Sequence, residues 1–249
     1  MDKAAFSRFE SIRDDFRQNV ASWSSRFPGL SDAQRALADE TGDVYDIETS
    51  IVYNRALDEV VQGDRISWIV VADNPGKREQ EAANNRYLVG RSGMVAERFF
   101  AREMGVDFRR EVVIINKTPL HTAKTVQLRR LVKLYPAARE LLEESQRFMA
   151  SIVPVLQACC KARVWVMGLS ELKARGLFES WQNAMRDAYA IADGSSSAAS
   201  GSKPSDAVFG FNHFSMGSFA TDLKRRRGPN EATLDAVLRI GAENRFRIL

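Results

Sequence analysis

Apolar residues recur at steps of three and four through Phe6, Phe9, Ile12, Phe16, Val20, Trp23 and Phe27, which predicts a helix with one buried face. Pro28-Gly29 ends it, Ser31 offers a cap for a second helix, and a further helical pattern covers 51–61 before Gly63-Asp64. Beyond residue 64 the pattern changes to short apolar runs at 66–72, 112–115, 164–167 and 207–211, each of strand length. Helical periodicity lies between them over 92–104, 126–134, 136–160 and 171–189, with Pro136 suited to a first turn and an interruption near Gly176. The Gly- and Ser-rich stretch 194–205 reads as a flexible surface loop, because a strand and a polar tail still follow it. There is no internal repeat.

Strands that alternate with helices imply crossover connections and a parallel sheet. The expected architecture is therefore α/β, a three-layer α/β/α arrangement around a central four-stranded parallel sheet. Residues 1–249 form one domain in this reading, with 1–64 as an N-terminal helical layer and 65–249 as the core. Each apolar run leads into a polar tail: Asp73-Asn74-Pro75-Gly76, Asn116-Lys117-Thr118-Pro119, Gly168-Leu169-Ser170 and Asn212-His213-Phe214-Ser215. Ligands of open parallel sheets bind in the crevice at the carboxyl ends of the strands, so an active site is expected where these four tails meet.

Composition narrows the class. The chain is 45% apolar, yet no run of eighteen apolar residues occurs, and the N-terminal residues alternate in charge. No membrane span, no secretory route and a cytoplasmic location are the expectation. The two cysteines are the adjacent Cys159-Cys160, read as buried thiols that cannot hold a four-cysteine cluster, and two histidines without ligand spacing argue against structural zinc. The formal charge of +4 matters through its distribution. Lys117, His121 and Lys124 follow the second tail, and Lys224-Arg225-Arg226-Arg227 follow the fourth. Cations on a crevice rim favour an anionic partner such as a nucleic-acid backbone, while a helix end whose cations complement the macrodipole explains the Lys-Arg group equally well.

Several residues in the tails could carry chemistry. In Asp73-Asn74-Pro75-Gly76 proline fixes the backbone and glycine permits close approach of a ligand, although the same tripeptide is an ordinary turn signal. Tyr87-Leu88-Val89-Gly90-Arg91-Ser92-Gly93-Met94 puts a glycine and a serine at a helix mouth, where Ser92 could hold a phosphate or simply cap the helix. Asn116 offers a donor and an acceptor on one rigid plane, which suits a nucleobase edge or a backbone turn. His213, beside Ser215, could donate a hydrogen bond to an oxygen that gains negative charge, or serve as a structural histidine.

In this order and spacing the pieces resemble the uracil-DNA glycosylase superfamily over about 66–224, with the preceding helical layer outside the match. Ala72-Asp73-Asn74-Pro75-Gly76 looks like the Asn-Pro-Gly motif of the mismatch-specific and single-strand-selective branches. Glu79 and Leu88-Val89-Gly90-Arg91-Ser92-Gly93 look more like the thermostable bacterial branch, whose members carry an iron–sulfur cluster; the cysteines for one are missing here. The resemblance implies hydrolysis of the bond between C1′ and a uracil or another deaminated or damaged base in DNA. It also implies that Asn74, or Asp73 on the other alignment, positions the attacking water, that Asn116 reads the base edge, and that His213 stabilises the departing base. Pro75, Gly76, Ser92, Lys117, Ser215 and Met216 would contact DNA. Met216, Phe214 and Phe219 are wedge candidates that could equally be core. The aromatic that usually stacks on the flipped base falls at Leu88, so Tyr87 or Phe214 would have to replace it, and the prolines that usually flank the last serine are absent. No metal or cofactor is implied, and the protein would act on single- or double-stranded DNA as a monomer. Two rivals are a non-catalytic nucleic-acid-binding module of the same fold and a hydrolase of free nucleosides or nucleotides.

Overall fold

The computed structural model describes residues 1–195 and 202–249. Four strands, β1 (Trp68–Ala72), β2 (Val112–Asn116), β3 (Arg163–Met167) and β4 (Val208–Phe211), form one all-parallel sheet in the order β2-β1-β3-β4. Nearly every strand residue is buried, the pattern of a sheet covered on both faces. The register sets Ala72 opposite Asn116, Val71 opposite Val166 and Met167 opposite Phe211, so all four strands end on one rim.

The helices are α1 (Lys3–Arg26), α2 (Leu30–Thr41), α3 (Arg91–Met104), α4 (Leu128–Leu134), α5 (Ala138–Cys160), α6 (Glu179–Ser195), α7 (Ser218–Arg226) and α8 (Thr233–Glu243). On one face of the sheet Trp68, Trp165, Phe209 and Phe211 meet Phe99 and Phe100 of α3 and Phe219 of α7; Trp165 stacks on Phe211 at 3.8 Å. On the other face Ile115 packs with Phe9, Ile12 and Phe16 of α1 and Ile152 and Leu156 of α5. The period-3.6 stripe of α1 is thus buried against α5, and Trp23 Nε1 donates to Glu144 at 2.8 Å.

Some boundaries differ from the sequence reading for local reasons. Segment 51–61 is not an α-helix. Ile51 bridges Leu120, Val52 N–H donates to Pro119 O, and only Arg55–Glu59 turns as a short 3₁₀ segment behind the Asn54 cap. Asn54 does this because its carboxamide also binds Ile114 O and the Tyr87 N–H, which ties the segment to the sheet edge. Ser31 lies inside α2, whose N-cap is Gly29. Likewise α3 starts at Arg91 behind Gly90, so Ser92 is a first-turn residue and not a cap. Pro136 precedes α5, and 171–178 is a turn region before α6. Of the expected surface loop, 196–201 lies outside the described residues, while Gly194 and Ser195 close α6 and Pro204–Ala207 forms a 3₁₀ turn.

Helix α3 is pressed onto the preceding loop at Gly93, where a Cβ would lie 1.6 Å from Leu88 O. That contact is with backbone, which cannot swing aside. Gly93→Ala is expected to destabilise the protein by about 2 kcal/mol or more. Urea denaturation checks this, and a midpoint equal to that of the native chain would show that the loop yields freely.

Candidate active site

The rim is organised around Lys117, the first residue after β2. Its N–H donates to Ala72 O at 2.8 Å and Asp73 O at 3.1 Å, which fixes the path of the chain leaving β1. Its side chain is 0% exposed: Nζ donates to the Asp73 carboxylate and to Met167 O at 2.5 Å, and lies 4.8 Å from the Phe178 ring centre. Burial pulls the ammonium below its ordinary pKa, and the charge of Asp73 opposes that pull. Lys117 therefore cannot be the rim cation expected from sequence, because no DNA phosphate can reach it. Asp73 keeps 15% of its side chain exposed. Gly168, just beyond β3, makes the room: at φ +76° it adopts a left-handed conformation, and a Cβ there would lie 2.2 Å from Asp73 Oδ1.

Asn74 points its Nδ2 into the 120–122 segment, with Thr122 Oγ1 at 2.9 Å, and its Oδ1 meets no protein donor among the described residues. His121 braces the same turn. Its Nδ1 donates to Pro75 O at 2.9 Å, so its Nε2 accepts from the Tyr45 hydroxyl at 2.8 Å. Burial pushes His121 down to about 4, so it is a neutral strut near pH 7 and not a rim cation. Pro75 is buried beneath this brace, whereas Gly76 is partly open.

Asn116, the last residue of β2, is 0% exposed, and neither its Oδ1 nor its Nδ2 has a hydrogen-bond partner. An unmet buried group costs on the order of 1–3 kcal/mol, so this carboxamide is an expensive way to end a strand.

His213, two residues past β4, lies within the electrostatic reach of Asp73 and Lys117. The Ser215 backbone N–H donates to its Nδ1 at 3.0 Å, and the Ser215 hydroxyl lies 2.8 Å from the same atom. An Nδ1 that accepts a backbone N–H leaves the proton of the neutral ring on Nε2. Burial lowers the pKa of His213, Asp73 raises it and Lys117 lowers it, with the net shift downward. The residue is thus a neutral Nε2–H donor on the rim, its backbone carbonyl held by Ser218 Oγ at 2.6 Å. Beyond it Met216 is wholly exposed at φ +55°, followed by Gly217 at φ +70°. An exposed apolar side chain in this sparsely populated conformation is strained, and strain of this kind clusters at functional sites.

Other expected site residues are placed elsewhere. Tyr87 is fully buried with its hydroxyl on Val52 O at 2.6 Å, Leu88 is buried at φ +53°, and Phe214 packs between Trp165 and Phe219. As placed, none presents a face on which a base could stack. Phe219 is core as well. Ser92 is half-buried at the start of α3, and Ser215 is exposed but engaged by His213. The expected positive rim is also muted. Arg225 and Arg226 pair with Asp222, Arg226 also with Glu243, Arg227 donates to Glu231 O, and Lys124 shares Asp43 with Lys77. Lys224 keeps no ion pair among the described residues. Sequence reasoning missed Gly168 and Thr122. Gly168 stood in the third tail, but only its contact with Asp73 reveals its role.

Among the described residues, no cluster of three or more His, Cys, Asp or Glu is arranged to hold a metal ion, and no helix is long and apolar enough to cross a membrane. Compared with models of known protein families and with curated protein sequences, the chain matches none.

Glu79 joins the first tail to the loop before α3. It accepts the Gly76 N–H at 2.8 Å, and the nearby backbone of Leu88 and Val89 favours its charged form. Burial raises its pKa to about 7 against these donors and the charge of Arg109. The folded-state value lies above the unfolded one of 4.5, so its stabilising share is complete below that pH and is lost as pH rises from there through about 7. Glu79→Gln should match the native chain closely near pH 4, below the unfolded value, and gain on it by on the order of 3 kcal/mol by pH 8.5. Denaturation midpoints across that range check the sign, and a gap that narrows with pH would contradict it.

Proposed function

We propose that the rim is the active site of a DNA glycosylase with a uracil-DNA glycosylase-like fold, acting on uracil or another deaminated or damaged base. The unpartnered carboxamide of Asn116 carries the reading: a flat heterocycle with a carbonyl beside an N–H would satisfy both of its atoms at once. The neighbouring tails supply what breaking an N-glycosidic bond needs. His213 offers Nε2–H to a base oxygen that gains negative charge as the bond lengthens. Asp73, held by Lys117, presents a carboxylate to the positive charge that develops on the sugar, while the free Oδ1 of Asn74 accepts a hydrogen bond from the attacking water. Asn116 is sealed from solvent, so a base reaches it only when the surrounding tails part. Met216, an exposed apolar side chain on the fourth tail, fills the gap left in a duplex by the extruded nucleotide.

A second reading is a nucleic-acid-binding module of this fold without turnover. It is favoured by the burial of Tyr87, Leu88 and Phe214, none of which offers a base a face to stack on as placed.

The two readings separate on oligonucleotides that contain uracil, hypoxanthine or xanthine. Glycosylase action releases free base and leaves an alkali-labile site. His213→Ala should then lower turnover by about 10²–10³-fold with an unchanged melting temperature. Asn116→Leu should abolish release while stabilising the fold by about 1–3 kcal/mol, since it removes the unmet polar atoms. Met216→Ala should slow release from duplex more than from single strands. Binding with no release from any of these substrates selects the module, and neither binding nor release rejects both readings.

A further inference from the structure

Strand β2 is an edge of the sheet. Glu111 O receives the N–H groups of Ser67 and Trp68, and Lys117 N–H meets Ala72 O, so the odd-numbered residues of this strand turn their backbone toward β1. The even-numbered residues turn theirs outward, where Asn54 Nδ2 reaches Ile114 O at 2.8 Å. The N–H and C=O of Val112 and the N–H of Ile114 meet no partner among the described residues. Val112 and Ile114 line a cleft of about 240 Å³ whose apolar wall includes Leu57, Val60, Ile66 and Phe108 and whose charged lining is Arg86, Arg109 and Arg110 against Glu59 and Asp64. The cleft is distinct from the rim of polar tails. Arg86 binds Glu59 through its terminal nitrogens at 3.0 and 2.6 Å, yet its Nε is buried without a partner. Arg110 is exposed and takes no ion pair among the described residues.

We propose that this cleft takes an extended, acidic segment of a partner protein as a fifth strand on β2. A donor, an acceptor and a second donor repeat here over two residues, roughly 6.6 Å, which is the period of an extended peptide. Buried or half-buried backbone groups on a sheet edge are normally covered, and strand addition covers them while the apolar wall receives alternate side chains. The Asn54 carboxamide on Ile114 O marks where pairing stops, so the added strand is short. The exposed, unpaired Arg110 gives this lining its excess of positive charge and selects a carboxylate flanking the strand. The site does not depend on the glycosylase reading and survives its failure.

The probe is a fluorescein-labelled Asp-Val-Thr-Val-Asp peptide, beside the same peptide with its backbone nitrogens methylated. The unmodified peptide should slow hydrogen exchange at the Val112 and Ile114 amides by about tenfold or more at saturation, while the methylated one does not bind. Val112→Pro removes an outward-facing donor at the first residue of an edge strand, a position where proline is accommodated, while keeping a buried apolar side chain of similar size, and should abolish binding with the melting transition retained. Arg110→Glu, a surface change, should weaken binding about tenfold and decides the matter if the proline variant does not fold. Unchanged exchange at both amides in millimolar peptide, or equal binding of the methylated peptide, overturns the proposal.

Discussion

Lys117 is withdrawn from solvent just past the end of β2 with Asp73 of the first tail as its counter-charge, and the carbonyls of Met167 and Gly168 at the end of β3 complete its shell. Charges buried together are tolerated when paired, whereas removing one partner leaves the other uncompensated, at a cost of several kcal/mol. The pair therefore locks three strand ends into one arrangement. Gly168 is the geometric condition for it, since any side chain there would collide with the carboxylate. The candidate residues of the rim are positioned relative to this node: Asn116 precedes Lys117, Asn74 follows Asp73, and His213 feels both charges.

The two histidines illustrate how environment divides labour between identical side chains. Both are neutral near pH 7 because burial disfavours the imidazolium. In His121 both nitrogens are occupied, one by a carbonyl and one by a tyrosine, which makes the ring a brace. In His213 the backbone spends only the acceptor, so the donor edge remains for something else. What this rim offers a ligand is thus oriented dipoles and one shielded carboxylate rather than mobile charges.

The sheet was legible because four runs such as Val112 to Asn116 are apolar on both faces, a pattern that only a covered parallel strand requires. The stripe of α1 was legible for the same reason of periodicity. Segment 51–61 was not, because its path is set by Asn54 gripping the edge of β2, a contact sixty residues away in sequence. At the rim, adjacency to a strand end located Asn116 and His213. It could not say that Lys117 turns inward or that Tyr87 and Phe214 face the core. Which way a side chain leaves a loop depends on what the other tails place nearby, and composition carries no record of that.

The arginines of α7 are already committed to Asp222, Glu243 and the carbonyl of Glu231. A polyanion that approached this helix would find few idle cations, and would gain contacts mainly by exchanging existing internal pairs for new external ones. Ionic strength weakens both sets together. Under the proposed reading, attraction to nucleic acid through this surface would consequently vary little with salt, and recognition would rest on the fit of one nucleotide rather than on the pull of the whole backbone.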